Sequence, residues 1–300
     1  MTNCPICNSS QNWPMRWTSD SAMEPWRANH GDSRAYGWNL CSHCGNGYPS
    51  FQPSAELLSF YWNRDRQDEL AIDLAKDGVW TIRRAAARKN AARTYGLFVP
   101  LYIGAPGKFL DIACGLGETV KYFSDRGWDA KGVDVDPALK RFHDEIGIES
   151  EIANIETARF EGQYDVILIS HAIYFIPGPS DFLNRLRSLL RPGGLLCIVV
   201  SNFLAPEDAG LPGYAHSFLP TAGPLRYALA SAGFVTVLHW RKGGSIYIAA
   251  RAGSAQLPRV YPHLIRLGFQ TKALRYALIG RPKLLLYRIA KKLLSAAGLR

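Results

Sequence analysis

From Lys108 onward, short apolar runs alternate with segments in which apolar residues recur at helical spacing. This rhythm predicts strands at Lys108–Ala113, Ala130–Val135, Ile148–Ala153, Tyr164–Ser170 and Gly194–Ser201. Between them it predicts helices near Glu118–Arg126, Pro137–Ile146 and Asp181–Leu190. Regular strand–helix alternation argues for a parallel sheet covered by helices, an α/β class. Two later runs, Phe234–Trp240 and Ser245–Arg251, flank Arg241-Lys242-Gly243-Gly244 and predict a closing antiparallel hairpin.

The flanks read differently. Residues 1–53 carry Trp13, Trp17, Trp26 and Trp38 among scattered Pro and Gly with little helical period, as in a small ribbon domain. Residues 54–104 predict a helical linker or cap, with helices over Asp65–Ala75 and the Ala-rich, cationic Val79–Tyr95. Residues 105–252 form the alternating domain, and 253–300 a basic helical tail. In that tail Leu285, Leu286, Ile289, Ala290, Leu293 and Ala297 share one face of a predicted helix, with Lys283, Arg288, Lys291 and Lys292 beside it. Such a helix fits either an anionic membrane surface or a docking face on its own domain.

The most informative stretch is Phe109–Val120, FLDIACGLGETV. An apolar strand closes on Asp111, turns through Gly115 and Gly117, and enters a helix. Glycines there allow a tight turn and close approach of backbone to a ligand. The next strand ends in Asp134, a spacing that suits a ribose diol. A third glycine is missing, Val120 standing in its place, and no Gly-Lys-Ser/Thr follows, which excludes a P-loop.

On these residues the chain resembles the class I S-adenosylmethionine (SAM)-dependent methyltransferases, over roughly Ala105–Arg251. The resemblance implies a Rossmann-like sheet with an antiparallel last hairpin. It further implies that Asp111, Gly115 and Gly117 hold the amino-acid end of SAM, and Asp134 its ribose. The charges agree: a sulfonium and an ammonium attract Asp111, where a pyrophosphate would be repelled. Asn154, at the end of the third strand, takes the place of an acid that faces the adenine amino group in relatives, and its oxygen still accepts a hydrogen bond. Ser170, His171 and Asn202 fall at strand ends, where ligands gather in open sheets. Tyr61 and Trp62 are placed for stacking or for ordinary packing.

Four of the six cysteines form Cys4-x2-Cys7 and Cys41-x2-Cys44. Paired knuckles of this spacing read as a tetrahedral structural Zn2+ site, with His43 a bystander. Cys114 and Cys197 read as small packing residues. The stretch CSHCGNGYPSFQPSAELLSFYW, from Cys41 to Trp62, is similar to that of bacterial methyltransferases with an N-terminal zinc ribbon, many of which act on sugars or other small acceptors in glycan and natural-product pathways. The N-terminus is polar without an apolar core of a signal peptide, which points to a cytoplasmic, reducing setting, with the inner membrane face as a further possibility for the tail.

Charge is uneven. Residues 1–208 hold 21 Lys/Arg and all 25 Asp/Glu, while 209–300 hold 14 Lys/Arg and no acid. The net charge of +10 therefore belongs to the C-terminal third and suggests a phosphate-bearing partner or an anionic surface.

Methyl transfer from a sulfonium needs alignment first, and a base only where the acceptor loses a proton. Relatives often carry a Glu-His pair before the Ile-Pro turn; here Tyr174 and Phe175 stand there. The candidate catalytic residues are then His216, which opens HSFLPTAGPLRYALASAGF, and His171. The expected acceptor is a small or lipid-linked sugar hydroxyl. An RNA methyltransferase and a non-catalytic SAM-binding scaffold remain open alternatives, the first disfavoured by the absence of an aromatic–cation recognition pattern.

Overall fold

The computed structural model describes residues 3–15, 37–50, 79–156, 158–160, 162–205, 216–275 and 278. The expectations for Asp65–Ala75, for Tyr61 and Trp62, and for the helix within 281–300 lie outside these residues.

Seven strands form the main sheet: β4 (Lys108–Ile112), β5 (Asp129–Asp134), β6 (Glu149–Ile152), β7 (Tyr164–Ser170), β8 (Leu190–Ser201), β9 (Phe234–Lys242) and β10 (Ser245–Ala252). Their order is β6-β5-β4-β7-β8-β10-β9. The first five neighbours run parallel, and β10 is antiparallel to both β8 and β9. β4 and β7 therefore sit side by side although two strands and their helices intervene in sequence. At that reversal of strand order a crevice opens beyond the carboxyl ends of the strands.

The expected strands fall where the apolar rhythm placed them, with shifted ends. β8 begins at Leu190 rather than Gly194, because the Arg191–Gly194 turn continues the ladder through an irregularity opposite Tyr164–Val166. Only glycine fits at Gly194, where a Cβ would meet the main-chain oxygens of Arg191, Tyr164 and Asp165 at 2.9–3.2 Å. The expected Pro137–Ile146 helix divides into a 3-10 turn, Pro137–Leu139, capped by Asp136, and helix α3, Lys140–Ile146.

Helices cover both faces. α1 (Val79–Phe98) runs against α2 (Glu118–Ser124), α3 follows β5, α4 (Pro179–Leu189) precedes β8, and α5 (Ala222–Ser231) precedes β9. One core layer packs Phe109, Phe123, Trp128 and Phe98 beneath α1 and α2, with the rings of Phe109 and Phe123 stacked 3.7 Å apart. The other layer joins Leu110, Ile112, Ile167, Ile169, Ile198 and Val200 to the buried residues of α4 and α5.

The opposite end of the sheet is locked by Asp165. Its carboxylate accepts from the Lys108 main chain at 2.7 Å and from Tyr102 Oη at 2.8 Å, and it pairs with Arg191 at 3.1 Å. A carboxylate with three partners holds β4, β7 and β8 in register.

The N-terminal ribbon is a three-stranded antiparallel sheet of β1 (Asn12–Met15), β2 (Trp38–Cys41) and β3 (Gly47–Pro49). Its interior is continuous with that of the main domain. Cys4, Ile6, Cys41, Cys44 and Tyr48 belong to one apolar cluster with sheet residues, and Trp38 and Leu40 pack with Phe203, Leu219 and Phe269. Ser180, at the start of α4, donates to the carbonyls of Pro5 and Ile6. The last described helix, α6 (Pro262–Arg275), lies against β2.

Candidate active site

The residues between Asp111 and Glu118 turn sharply because three of them take left-handed backbone angles. Ala113 has φ 58°, Gly115 φ 55° and Gly117 φ 78°. Gly117 leaves no room for a side chain: a Cβ there would lie 2.3 Å from Ile148 Cδ1. Gly115 faces open space, with nothing within 4 Å of where its Cβ would be, as a cradle for a ligand requires.

The Gly115 peptide is held on both sides. Its N–H donates to Asp134 Oδ2 at 2.8 Å, and its carbonyl accepts from His143 Nε2 at 2.6 Å. The Nδ1 of His143 lies 3.0 Å from Ser150 Oγ, so the imidazole donates through Nε2 and accepts the serine hydroxyl through Nδ1. Asp134 also accepts from the Asp136 N–H at 3.1 Å. His143 is fully buried and escaped the sequence reading. The available signal was its place beside Leu139, Phe142 and Ile146 on the buried face of α3, a polar residue where an apolar one was due.

Asp111 is buried at the end of β4, and its Oδ1 has no hydrogen-bond partner. Burial, with the negative charge of Asp134 adding to it, pushes its carboxyl well above the usual carboxylate range. Burial raises Asp134 as well, although the N–H groups of Asp136 and Gly115 oppose the shift. Two desolvated carboxyls, one of them with a bare oxygen, constitute a site short of a cation. A cationic ligand group would meet that need at Asp111, and the remaining lone pairs on the two Asp134 oxygens, each of which already accepts one N–H, can take hydroxyl donors.

The other expected residues occupy the neighbouring strand ends. Asn154 is exposed just after β6, and its Oδ1 accepts from the Glu156 N–H at 2.9 Å. Ser170 closes β7. His171 follows it with left-handed φ 55°, its N–H bonded to the Val199 carbonyl and its Nδ1 3.5 Å from Ser201 Oγ. Its surface is open to the crevice, yet the surrounding protein desolvates the ring and lowers its pKa.

His216 sits elsewhere, in an aromatic box. Its ring stacks on Tyr174 at 5.0 Å and 14°, with Phe175 at 5.0 Å and Phe203 at 5.4 Å. Ser217 fixes the place: its N–H donates to the Tyr174 carbonyl at 2.7 Å and its hydroxyl to the Ile176 carbonyl at 2.5 Å. Lys272, from α6, donates to the Phe203 carbonyl at 2.8 Å and sets its ammonium 5.6 Å from the Phe203 ring. A cation thus stands at the rim of the box. Glu118 and Arg84 were likewise missed: α1 reaches the glycine turn through their ion pair, in which the Glu118 carboxylate is buried and its Oε2 bare.

The four cysteine sulfurs of the ribbon lie within 4.8 Å of one another. Cys4–Cys44 and Cys7–Cys41 are 3.6 and 3.5 Å apart, close to the ~3.8 Å edge of a tetrahedron with metal–sulfur bonds of ~2.3 Å. Contact among the thiols lowers the pKa of Cys41 and of Cys7, the latter to about 7, and raises those of Cys4 and Cys44, so a metal would have to displace the protons of that second pair. Asn8 at φ 56° and Gly45 at φ 72° turn the two knuckles, and the amides of Asn8 and Gly45 bond back to the Cys4 and Cys41 carbonyls. His43 points away, to Tyr227 Oη at 3.1 Å.

Residues 81–239, just over half the chain, match a family model described as a methyltransferase domain. The ubiquinone biosynthesis O-methyltransferase of Acinetobacter baylyi is 29% identical over 99 residues, covering 29% of this chain and 40% of that enzyme. A non-reducing polyketide synthase of Penicillium brasilianum is 31% identical over 109 residues, 31% of this chain and 4% of that protein. The chain thus spans well under half the length of these curated relatives. Among solved structures, magnesium protoporphyrin IX methyltransferase of Synechocystis PCC 6803, with SAH bound, superposes with a TM-score of 0.51 at 14% identity, over 67% of this chain and all of that one.

Proposed function

This chain belongs to the class I SAM-dependent methyltransferases, and we propose that it methylates a hydroxyl of a small, phosphate-bearing sugar or glycan precursor, free or lipid-linked. The supporting observation is the aromatic box of Tyr174, Phe175 and Phe203 around His216, with Lys272 at its rim. The half-exposed rings of Phe175 and His216 can pack the C–H face of a sugar ring, and Lys272, which already donates to the Phe203 carbonyl, sets a positive charge near its phosphate.

SAM bound on Asp111 and Asp134 supplies an electrophilic methyl group on a sulfonium. The chain's residues align the acceptor with it: Asp111 meets the ammonium, Asp134 and Gly115 set the ribose end, and Ser170 and Asn154 border the adenine side. With SAM bound, the methyl group would pass from the sulfur to the acceptor oxygen, and the hydroxyl proton would leave to a base on the chain. His171 takes that proton, its lowered pKa keeping the ring neutral and able to accept it. His216 packs the acceptor ring inside the box. The four-cysteine ribbon binds Zn2+ as a structural ion, supported by the tetrahedral spacing of the sulfurs.

A second reading takes the acceptor as a phenolic or quinol hydroxyl, for which the same aromatic box and the ubiquinone-pathway relative speak. Incubation with methyl-labelled SAM separates the two. Label on nucleotide-activated or lipid-linked sugars, lost in His171→Asn with SAM affinity intact, supports the sugar reading. Label on a quinol and on none of the sugars replaces it.

A further inference from the structure

Helix α6 has two apolar faces, and the fold uses one. Phe269, Ile265 and Ala273 pack into the cluster of Trp38, Leu40, Phe203 and Leu219. On the opposite side Leu264, Leu267, Leu274 and Leu278 follow one another at helical spacing, each between 59 and 66% exposed. Within α6, Leu264 to Leu274 extend over about 15 Å at 1.5 Å per residue. Tyr261, at the start of the same line, is exposed too, with the Arg259 guanidinium 5.1 Å from its ring. A helix apolar on two faces needs a second environment.

The charge around the stripe indicates which one. Arg259 and Arg275 are exposed beside the leucines, and from residue 209 to the C-terminus there are 14 Lys/Arg and no Asp or Glu. A second copy of the chain joined through this face would set cations against cations, and α6 itself carries no acid to pair them. One stripe of leucines also falls short of the roughly 1,000 Å² that a stable protein interface buries. An anionic bilayer satisfies both needs. Its acyl boundary takes the leucines, its headgroups attract the arginines, and a tyrosine sits well at that depth. No helix among the described residues is long and apolar enough to cross a membrane, so the contact is interfacial.

We propose that the outer face of α6, through Leu264, Leu267 and Leu274, together with the exposed Tyr261 before it and Leu278 after it, rests on an anionic lipid surface. The proposal gives a lipid-linked acceptor a place to be met, but it stands apart from the acceptor question because lipid binding is read without SAM or acceptor. The test is co-sedimentation of the full chain with phosphatidylcholine vesicles, with and without phosphatidylglycerol. Binding to the anionic vesicles alone, weakened by salt and about tenfold weaker in Leu264→Ser/Leu267→Ser, is expected. The exposed positions let that variant keep its melting temperature and SAM affinity. Undiminished binding in the variant would assign lipid attachment to other residues, 281–300 among them, and overturn the proposal. So would absence of vesicle binding, or a dimer in sedimentation velocity that the same variant dissociates. A large fall in melting temperature would equally overturn it, because the stripe would then be covered by the chain itself.

Discussion

The main-chain N–H of Gly115 donates to Asp134 Oδ2 at 2.8 Å, tying the turn after β4 to the end of β5. That one bond joins the two sequence signals, the glycine turn and the distant acid, into a single cradle. It also leaves Asp111 alone with a bare oxygen beside it.

Burial raises the Asp111 carboxyl, and this has a sign in pH. Folding shifts the group toward its protonated form. The group's contribution to stability is therefore largest below the ordinary carboxylate pKa, and it declines as pH rises through the raised folded value. A cationic ligand requires the ionised form, so SAM affinity should rise with pH over the same window, with proton release on binding. Calorimetry in buffers of different ionisation enthalpy measures that release, and Asp111→Asn should abolish it along with most of the affinity.

Gly117→Ala puts a side chain at φ 78° and against Ile148. The left-handed angle alone costs about 1–2 kcal/mol, and the contact adds to it. Denaturant titration should show a loss of at least that size, with SAM binding weakened further because the turn itself must move.

His143→Ala removes the donor to the Gly115 carbonyl and the acceptor for Ser150. Each buried group left unpaired costs about 1–3 kcal/mol. The variant should lose SAM affinity as well as stability. Ser150→Ala, which leaves Nε2 bonded, should lose stability mainly; equal losses of affinity in the two would contradict a role for His143 in setting the turn.

The ribbon touches the His216 segment through Gly47 and Leu219, whose bridge places the Leu219 N–H on the Gly47 carbonyl at 2.7 Å. Leu219 is three residues from His216. Purified protein should carry one Zn2+, and its removal should lower the melting temperature and shift the His216 imidazole resonances. SAM affinity should change less, because the hydrogen bonds that set the cradle run among Gly115, Asp134 and His143 and involve none of the four ribbon cysteines.

Much of this was legible in sequence, and the reason is local. Within Tyr164–Ser170 the run Val166–Ile169 is wholly apolar because both faces are buried, and Asp111, Gly115, Gly117 and Asp134 lie within one strand–turn–helix–strand unit. The two cysteine knuckles carry their own geometry. What stayed hidden depends on packing across the chain: His143 under the glycine turn, Arg84 against Glu118, Ser217 beneath Tyr174, and Asp165 between Lys108, Tyr102 and Arg191. No periodicity reveals a hydrogen bond between residues far apart in sequence. The ribbon drew attention as a unit of its own, while its tryptophan and cysteine side chains share their core with the main domain.

Calorimetric titration of SAM and SAH into the wild-type protein and Asp134→Ala goes to the centre of the matter. Saturable binding in the wild type, weakened by about tenfold to a hundredfold when Asp134 loses its carboxylate, is the expected result. A folded wild-type protein that binds neither compound, or an Asp134→Ala variant that binds both unchanged, would mean that the cradle of Asp111, Gly115 and Asp134 is not where the methyl donor sits.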